Sequence, residues 1–390
     1  MIKKWVSALM VLIWTCTVSL PLVNAEENNS GIDLAPGARS AVLMDVDTGT
    51  VIFNKNMDDQ LPPASITKIM TMLLVMEEVE KGKLQWNDMV RTSEYAASMG
   101  GSQIFLEPGE EMTVEDMLKG VAMASANDAS VALAEKISGS EEAFVQKMNE
   151  KAKQLGMTNT HFVNPNGLPA DNHYTTAHDI ALMSKELMKY EQITKYTGAY
   201  QDYLRKDTDR PFWLVNTNKL VRFYDGVDGL KTGYTREAKF CLAATAKKDN
   251  FRVIAVVLGE PDTKTRNAEV GKMLDYAFSQ YTNYPIVKAG DSLGVIKVNK
   301  GEQRIVPLTA NHQYGVLLKK GEGEEDIRYE VQLNPELNAP VELGSEIGKL
   351  VVYKGDQKMK EFPLTSPVEI EKAGWWTLFK RTAGQLFFVD

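Results

Sequence analysis

The sequence predicts an α/β unit with a helical insertion, followed by a small all-β unit and a C-terminal amphipathic helix. Three observations carry this. Strand-like runs at both ends of residues 34–284 enclose a stretch with helical periodicity, the order expected of one sheet interrupted by helices. Short β-rich runs divided by Gly, Pro and Asn turns fill residues 285–368. Residues 369–390 gather aromatic and aliphatic side chains on one helical face, with cations off it.

Residues 1–25 read as an export signal. Lys3 and Lys4 precede the apolar run Trp5 to Leu22, and Val23-Asn24-Ala25 supplies small residues before Glu26. An uncleaved membrane anchor is the alternative reading of the same run. Cys16 belongs to this segment, so Cys241 is left alone in the mature chain and no intramolecular disulfide can form. Cys241 lies in a strand-like run and reads as a buried thiol.

Residues 26–37 are polar and predict a flexible leader. Alternation on both sides of Asp47-Thr48-Gly49 predicts a β-hairpin over 39–54. Ile66, Ile69, Met70, Leu73 and Leu74 recur at helical spacing from Ser65 to about Lys81, after Pro62-Pro63. Residues 91–195 read as mainly helical, with a capping box at Thr113 and Asp116 and a C-cap at Gly156. Strands return at 240–247 and 251–258, and a helix follows at 265–281. The texture changes beyond Tyr284-Pro285, where the β-rich runs begin. In the tail, Trp375, Leu378, Phe379, Leu386 and Val389 share one face, which suits a helix lying in a membrane headgroup region. Docking of that helix on the protein's own surface is the other reading.

At 390 residues the chain exceeds a single core of typical size, and 44% apolar with 25% charged residues is a globular composition. A net charge of −8 argues against nucleic acid as a partner, because binding phosphates needs a basic face.

The chemistry concentrates in three short patterns. Ser65 and Lys68 lie at i and i+3, one helical turn apart and within reach of each other. Ser125-Ala126-Asn127 falls in the small-residue run MASANDAS, and Lys231-Thr232-Gly233 precedes a strand. Taken singly, these are a solvated helix face, a helix-packing stretch and an edge turn. Each occurs once, in the order Ser-x-x-Lys, Ser-x-Asn, Lys-Thr-Gly.

With these motifs the sequence resembles the penicillin-binding proteins and serine β-lactamases. It is most similar to the low-molecular-mass penicillin-binding proteins, the D-alanyl-D-alanine carboxypeptidases, including those of Gram-positive bacteria. The phrases GGSQIFLEPGEEMTVEDML, FVNPNGL and VDGLKTGYT carry the same likeness. The resemblance spans signal, catalytic unit, β unit and tail, and implies a β-lactamase/transpeptidase-like fold. It also implies a place at the outer face of the cytoplasmic membrane, with no metal or cofactor. The implied partners are a peptidoglycan stem peptide ending in D-Ala-D-Ala, β-lactam antibiotics and, through the C-terminal helix, the membrane surface.

The resemblance assigns Ser65 as nucleophile and Lys68 as its base. A lysine at its ordinary pKa of ~10.4 is neutral in only about one molecule in 2,500 at pH 7. Burial beside Asn127 and the field of Lys231 would both lower that pKa. Ser125 would relay a proton to the leaving amine, and Asn127 would hold Lys68 and the substrate amide. Lys231 and Thr232 suit the terminal carboxylate, while Gly233 would let a substrate backbone approach the strand edge. The backbone N–H groups of Ser65 and Tyr234 form the implied oxyanion hole. Arg266 matches an arginine near the carboxylate pocket of some relatives, although an exposed helix arginine fits the local sequence equally.

Other chemistries find less support. Asp47-Thr48-Gly49 has no second copy to build an aspartic dyad. His173 and His178 are five apart, off a shared helical face, and no H-E-x-x-H or G-x-S-x-G occurs. The rival functions are a class A-like β-lactamase and a non-catalytic penicillin-binding scaffold.

Overall fold

The computed structural model describes residues 31–387. The expected export signal, Cys16 and residues 26–30 lie outside them, as do Val389 and the side chain of Leu386. The leader is docked from Leu34 onward. Leu34 and Ala35 are buried, and Lys55 Nζ donates to Ala35 O at 2.8 Å. The expected flexibility therefore fails at this end, because an apolar pair hidden in a polar stretch finds a core.

Strands β1 (Ser40–Asp45) and β2 (Val51–Lys55) form the expected hairpin. Its turn is closed by Asp45, whose carboxylate accepts both the amide and the hydroxyl of Thr48. The helix expected from Ser65 begins instead as a 3-10 turn, Ala64–Thr67, and becomes α1 at Lys68–Glu80. The Thr67 hydroxyl donates to Ala64 O at 2.8 Å, and Ala64 has φ 47°, outside helical range.

The insertion is helical around short strand pairs. It runs through β3 (Met89–Arg91), α2 (Glu94–Ala97), β4 (Glu111–Thr113) and α3 (Val114–Lys119), then α4 (Asn127–Ser138) and α5 (Glu141–Gln154). Thr113 Oγ1 accepts the Asp116 amide at 3.1 Å, as a cap requires, and Gly156 follows α5 at φ +74°. Next come α6 (Ala177–Leu187), α7 (Thr194–Thr197) and an unexpected hairpin of β5 (Gln201–Leu204) and β6 (Phe212–Val215). At four residues each, these strands are too short for periodicity to reveal.

After α8 (Leu220–Phe223), strands β7 (Val227–Thr235), β8 (Lys239–Lys248) and β9 (Phe251–Glu260) complete a five-stranded antiparallel sheet of order β2-β1-β9-β8-β7. Both faces are covered. On β9, Ile254, Val256 and Leu258 join the core beneath α1, α4 and α6, while Val253, Ala255 and Val257 join the core beneath α9 (Thr263–Gln280). Burial of each large aliphatic side chain contributes about 1.5–3 kcal/mol, so two-sided coverage fixes the strand register.

The second unit has its own core, including Ile296, Tyr314, Leu350 and Phe362. Its strands are β10 (Tyr281–Val287), β11 (Ser292–Lys297), β12 (Ile305–Thr309), β13 (Tyr314–Lys319), β14 (Ile327–Leu333), β15 (Glu346–Lys354) and β16 (Gln357–Thr365). They pair as β10-β13, β11-β12 and β14-β15-β16. Strand β10 crosses the expected break at Tyr284-Pro285, because a two-stranded sheet leaves a free edge where proline's missing N–H costs no bond.

Helix α10 (Trp375–Phe387) closes the described chain. Trp375, Trp376 and Phe379 are exposed, with ring centroids 5.6–5.7 Å apart. Arg381 donates to the carbonyls of Gly301 and Glu302 at 2.7 and 2.9 Å, tying the helix to the second unit without covering those rings. Among the described residues, no helix is long and apolar enough to cross a membrane.

Candidate active site

Ser65 stands in the 3-10 turn and Lys68 opens α1, so adjacent turns carry both. Two contacts from the 163–173 loop hold the turn. His173 Nδ1 accepts the Val163 amide at 3.0 Å, which leaves the proton of the neutral ring on Nε2. From there it reaches the Thr67 hydroxyl at 2.9 Å, and that hydroxyl donates to Ala64 O. Burial pushes the imidazole down to about 4, so the ring is neutral near pH 7. Gly167 is the second contact. At φ +81°, a Cβ there would collide with the Ala64 carbonyl oxygen. The two histidines weighed as metal ligands have other tasks: His178 Nδ1 lies 3.4 Å from Asp58.

Lys68 is fully buried. Its Nζ lies 2.6 Å from Asn127 Oδ1, 2.6 Å from Asn166 O and 3.2 Å from Ser65 Oγ. A neutral amine has two N–H groups and one lone pair. Two carbonyl oxygens take the N–H groups, and the lone pair is left for the Ser65 hydroxyl. Burial holds Lys68 well below its ordinary pKa, and Lys231 pushes in the same direction. Asp128 opposes them. Its carboxylate is engaged with the amides of Ile104, Leu106 and Ala129.

The second pattern is set by an unusual helix junction. One π-turn, Gly120–Ala124, ends at Ser125, which is buried and left-handed at φ 63°. Asn127 then starts α4, and its amide nitrogen donates to Gly100 O at 2.7 Å. That bond fixes which end of the amide faces Lys68.

Lys231, Thr232, Gly233 and Tyr234 lie on β7, the end strand of the sheet, rather than in an edge turn. Lys231 is buried, its Nζ donates to Thr232 O at 3.1 Å, and burial followed by the charge of Arg266 pushes it down to about 7. Gly233 serves the protein before any substrate. A Cβ there would meet Pro63 O at 3.1 Å and Ala64 Cβ at 3.2 Å, so glycine lets β7 pack on the nucleophile turn. Tyr234 is exposed and its ring lies 4.5 Å from that of Phe240. Arg266 is buried, which removes the exposed-arginine reading. Its Nε and Nη2 donate to Asn267 Oδ1 at 3.1 and 2.9 Å, so it acts on Lys231 through its field. Cys241, opposite Gly233 in the ladder, is a buried thiol that burial pushes up to about 11.

The sequence reading missed two members of this constellation. The carbonyl of Asn166 leaves no side-chain signature. Thr217, whose Oγ1 lies 2.8 Å from that of Thr232, follows the short hairpin that periodicity did not reveal.

The chain is similar to known proteins over nearly its whole length. A family model described as D-alanyl-D-alanine carboxypeptidase matches residues 26–262, and one described as penicillin-binding protein 5, C-terminal domain, matches residues 281–372. The chain is 54% identical over 382 residues to D-alanyl-D-alanine carboxypeptidase DacF of Bacillus subtilis, covering 98% of each. It is 32% identical over 350 residues to DacC of Escherichia coli, covering 87% of this chain and 86% of the relative. Penicillin binding protein 5 from Haemophilus influenzae superposes with a TM-score of 0.67 at 31% identity, covering 86% of this chain and 98% of that one. Penicillin-binding protein D2 from Listeria monocytogenes, solved in the ampicillin bound form, gives 0.57 at 30% identity over 63% of this chain and all of its own. The chain belongs to the D-alanyl-D-alanine carboxypeptidase family of serine peptidases.

Proposed function

We propose that this protein removes the terminal D-alanine from peptidoglycan stem peptides through an acyl-enzyme on Ser65. The contacts of Lys68 Nζ carry the reading: two carbonyl acceptors at 2.6 Å and the Ser65 hydroxyl at 3.2 Å. Neutral Lys68 takes the Ser65 proton as Oγ attacks the carbonyl between the two D-alanines. The backbone amides of Ser65 and Tyr234 receive the developing oxyanion, an interaction worth about 10²–10³ in rate per donor. Ser125 passes a proton to the departing amine, which breaks the C–N bond and frees D-alanine. Water then adds to the ester, and Ser65 recovers its proton as the shortened peptide leaves. Charged Lys231, with Thr232, holds the terminal carboxylate, and Arg266 tunes Lys231 from a distance. A β-lactam enters the first half of this cycle and stays on Ser65. No metal or cofactor takes part.

The two-unit division supports a catalytic portion ending with α9 and a β-rich portion beginning with β10. The exposed Trp375-Trp376-Phe379 cluster supports α10 as a helix that lies on a membrane surface and holds the enzyme at its extracytoplasmic face. One experiment tests the function. The purified protein and Ser65→Ala are incubated with fluorescent penicillin and with a pentapeptide ending in D-Ala-D-Ala. Durable labelling and D-alanine release, both lost in the variant, are expected. Rapid penicillin turnover would point to a β-lactamase instead, and absence of labelling to a scaffold. Liposome flotation with and without residues 369–390 tests the tail, and equal binding would refute its role.

A further inference from the structure

Thr217 lies outside the three motifs, yet its hydroxyl oxygen is 2.8 Å from that of Thr232. The segment that carries it is held rigidly. On one side Asn216 Nδ2 donates to Thr197 O at 2.8 Å and to Ala199 O at 2.9 Å. On the other Asn218 Nδ2 donates to Gly229 O at 3.0 Å. The two asparagines are further linked, because Asn218 N donates to Asn216 Oδ1 at 2.9 Å. Thr217 N donates to Met123 O at 3.1 Å, two residues from Ser125. Both asparagine amides are spent on the protein, so Thr217 is the half-buried residue of the segment whose side chain meets the Lys231–Gly233 strand.

We propose that Thr217 is a positioning residue for the substrate's terminal carboxylate, a role that rests on the carboxypeptidase reading above. A hydroxyl has one proton to give and two lone pairs to receive, whereas a carboxylate only accepts. When Thr232 donates to Thr217, its proton is withdrawn from the substrate side. When a carboxylate arrives, the pair reverses: Thr217 donates to Thr232, and Thr232 donates to the carboxylate. Each bond in such a chain polarises the next, and the gain is largest when the final acceptor carries charge. Thr217 therefore favours a free C-terminal carboxylate over a neutral ester or amide.

The test uses the full-length protein, Thr217→Val, which keeps shape but removes the hydroxyl, and Thr217→Ser, which restores it. Steady-state release of D-alanine gives KM and kcat, and single-turnover acylation compares benzylpenicillin with its methyl ester. Thr217→Val is expected to raise KM for the peptide about fivefold with kcat within about twofold of the parent. Its penalty should be larger for benzylpenicillin than for the ester, and Thr217→Ser should return both to parent values. An unchanged KM in Thr217→Val overturns the proposal. So does an equal loss with acid and ester, or a loss that Thr217→Ser does not repair. If the parent protein is acylated by neither compound, the carboxypeptidase reading falls first, a result distinct from an active parent indifferent to Thr217.

Discussion

The side-chain oxygen of Asn127 lies 2.6 Å from Nζ of Lys68, and the same amide donates its nitrogen to Gly100 O at 2.7 Å. Asn127 thus presents an acceptor, never a charge, to the buried amine. Replacing it by aspartate keeps the shape and adds a negative charge, which favours protonated Lys68. Asn127→Asp is expected to slow Ser65 acylation at pH 7 by about 10²-fold or more, and to move the rising limb of the pH–rate profile to higher pH. Stopped-flow acylation between pH 6 and 10 checks both. An unchanged limb would mean that Asn127 does not govern the charge on Lys68.

The field of Arg266 predicts a second titration. Lys231 must be charged to hold a carboxylate, and Arg266 helps to push it down to about 7. Peptide KM should therefore rise as pH passes above about 7. Arg266→Ala removes a like charge, so the pKa of Lys231 rises and that loss of binding moves to higher pH. Measuring KM against pH in both proteins decides it, and coincident curves would exclude the coupling.

Gly167 joins stability to catalysis. Alanine there must adopt φ +81° and collides with the Ala64 carbonyl, while the neighbouring Asn166 O holds Lys68. Gly167→Ala is expected to cost about 2–3 kcal/mol of stability and to lower the acylation rate of the folded fraction. Thermal unfolding and active-site titration with penicillin report the two effects separately.

Away from the site, Glu260 is buried against Glu269, and desolvation first, then the Glu269 neighbour, pushes it up to about 8. Its folded-state pKa lies above the unfolded value, so its contribution is complete below about 4.5. Stability is then lost as pH rises through about 8, with a slope of at most about 1.4 kcal/mol per pH unit for one proton. Glu260→Gln should flatten this decline and raise Tm at pH 9 relative to the parent. A parallel pH dependence in the two proteins would show that Glu260 does not carry the raised pKa.

The legible parts of the fold are those whose cause is local. Thr113 with Asp116, the Asp45–Thr48 turn and the alternation on β8 and β9 each write their structure into neighbouring residues. The three motifs were legible because they consist of polar side chains, and those of Ser65, Lys68 and Asn127 meet directly in the fold. Other parts depend on partners far along the chain. Asn166 O reaches Lys68 across 98 positions through a backbone atom any residue could supply. Gly233 reads as room for a substrate until Pro63 and Ala64 are seen filling it. Leu34 and Ala35 look like loop until a core forms beside them. Strand β10 hides its start because Tyr281 follows α9 directly, with no turn residue between them.

In the proposed mechanism Lys68 is neutral when it takes the proton of Ser65. Single-turnover acylation of the full-length protein at saturating fluorescent penicillin, which removes the pH dependence of binding at Lys231, followed from pH 5 to 11, measures this most directly. Burial and Lys231 hold Lys68 well below 10.5, so the acylation rate should rise through a midpoint well under that value and be level before pH 10 is reached. A rate that keeps climbing through a midpoint near 10.5 would contradict the account, because Lys68 would then carry its charge throughout the physiological range.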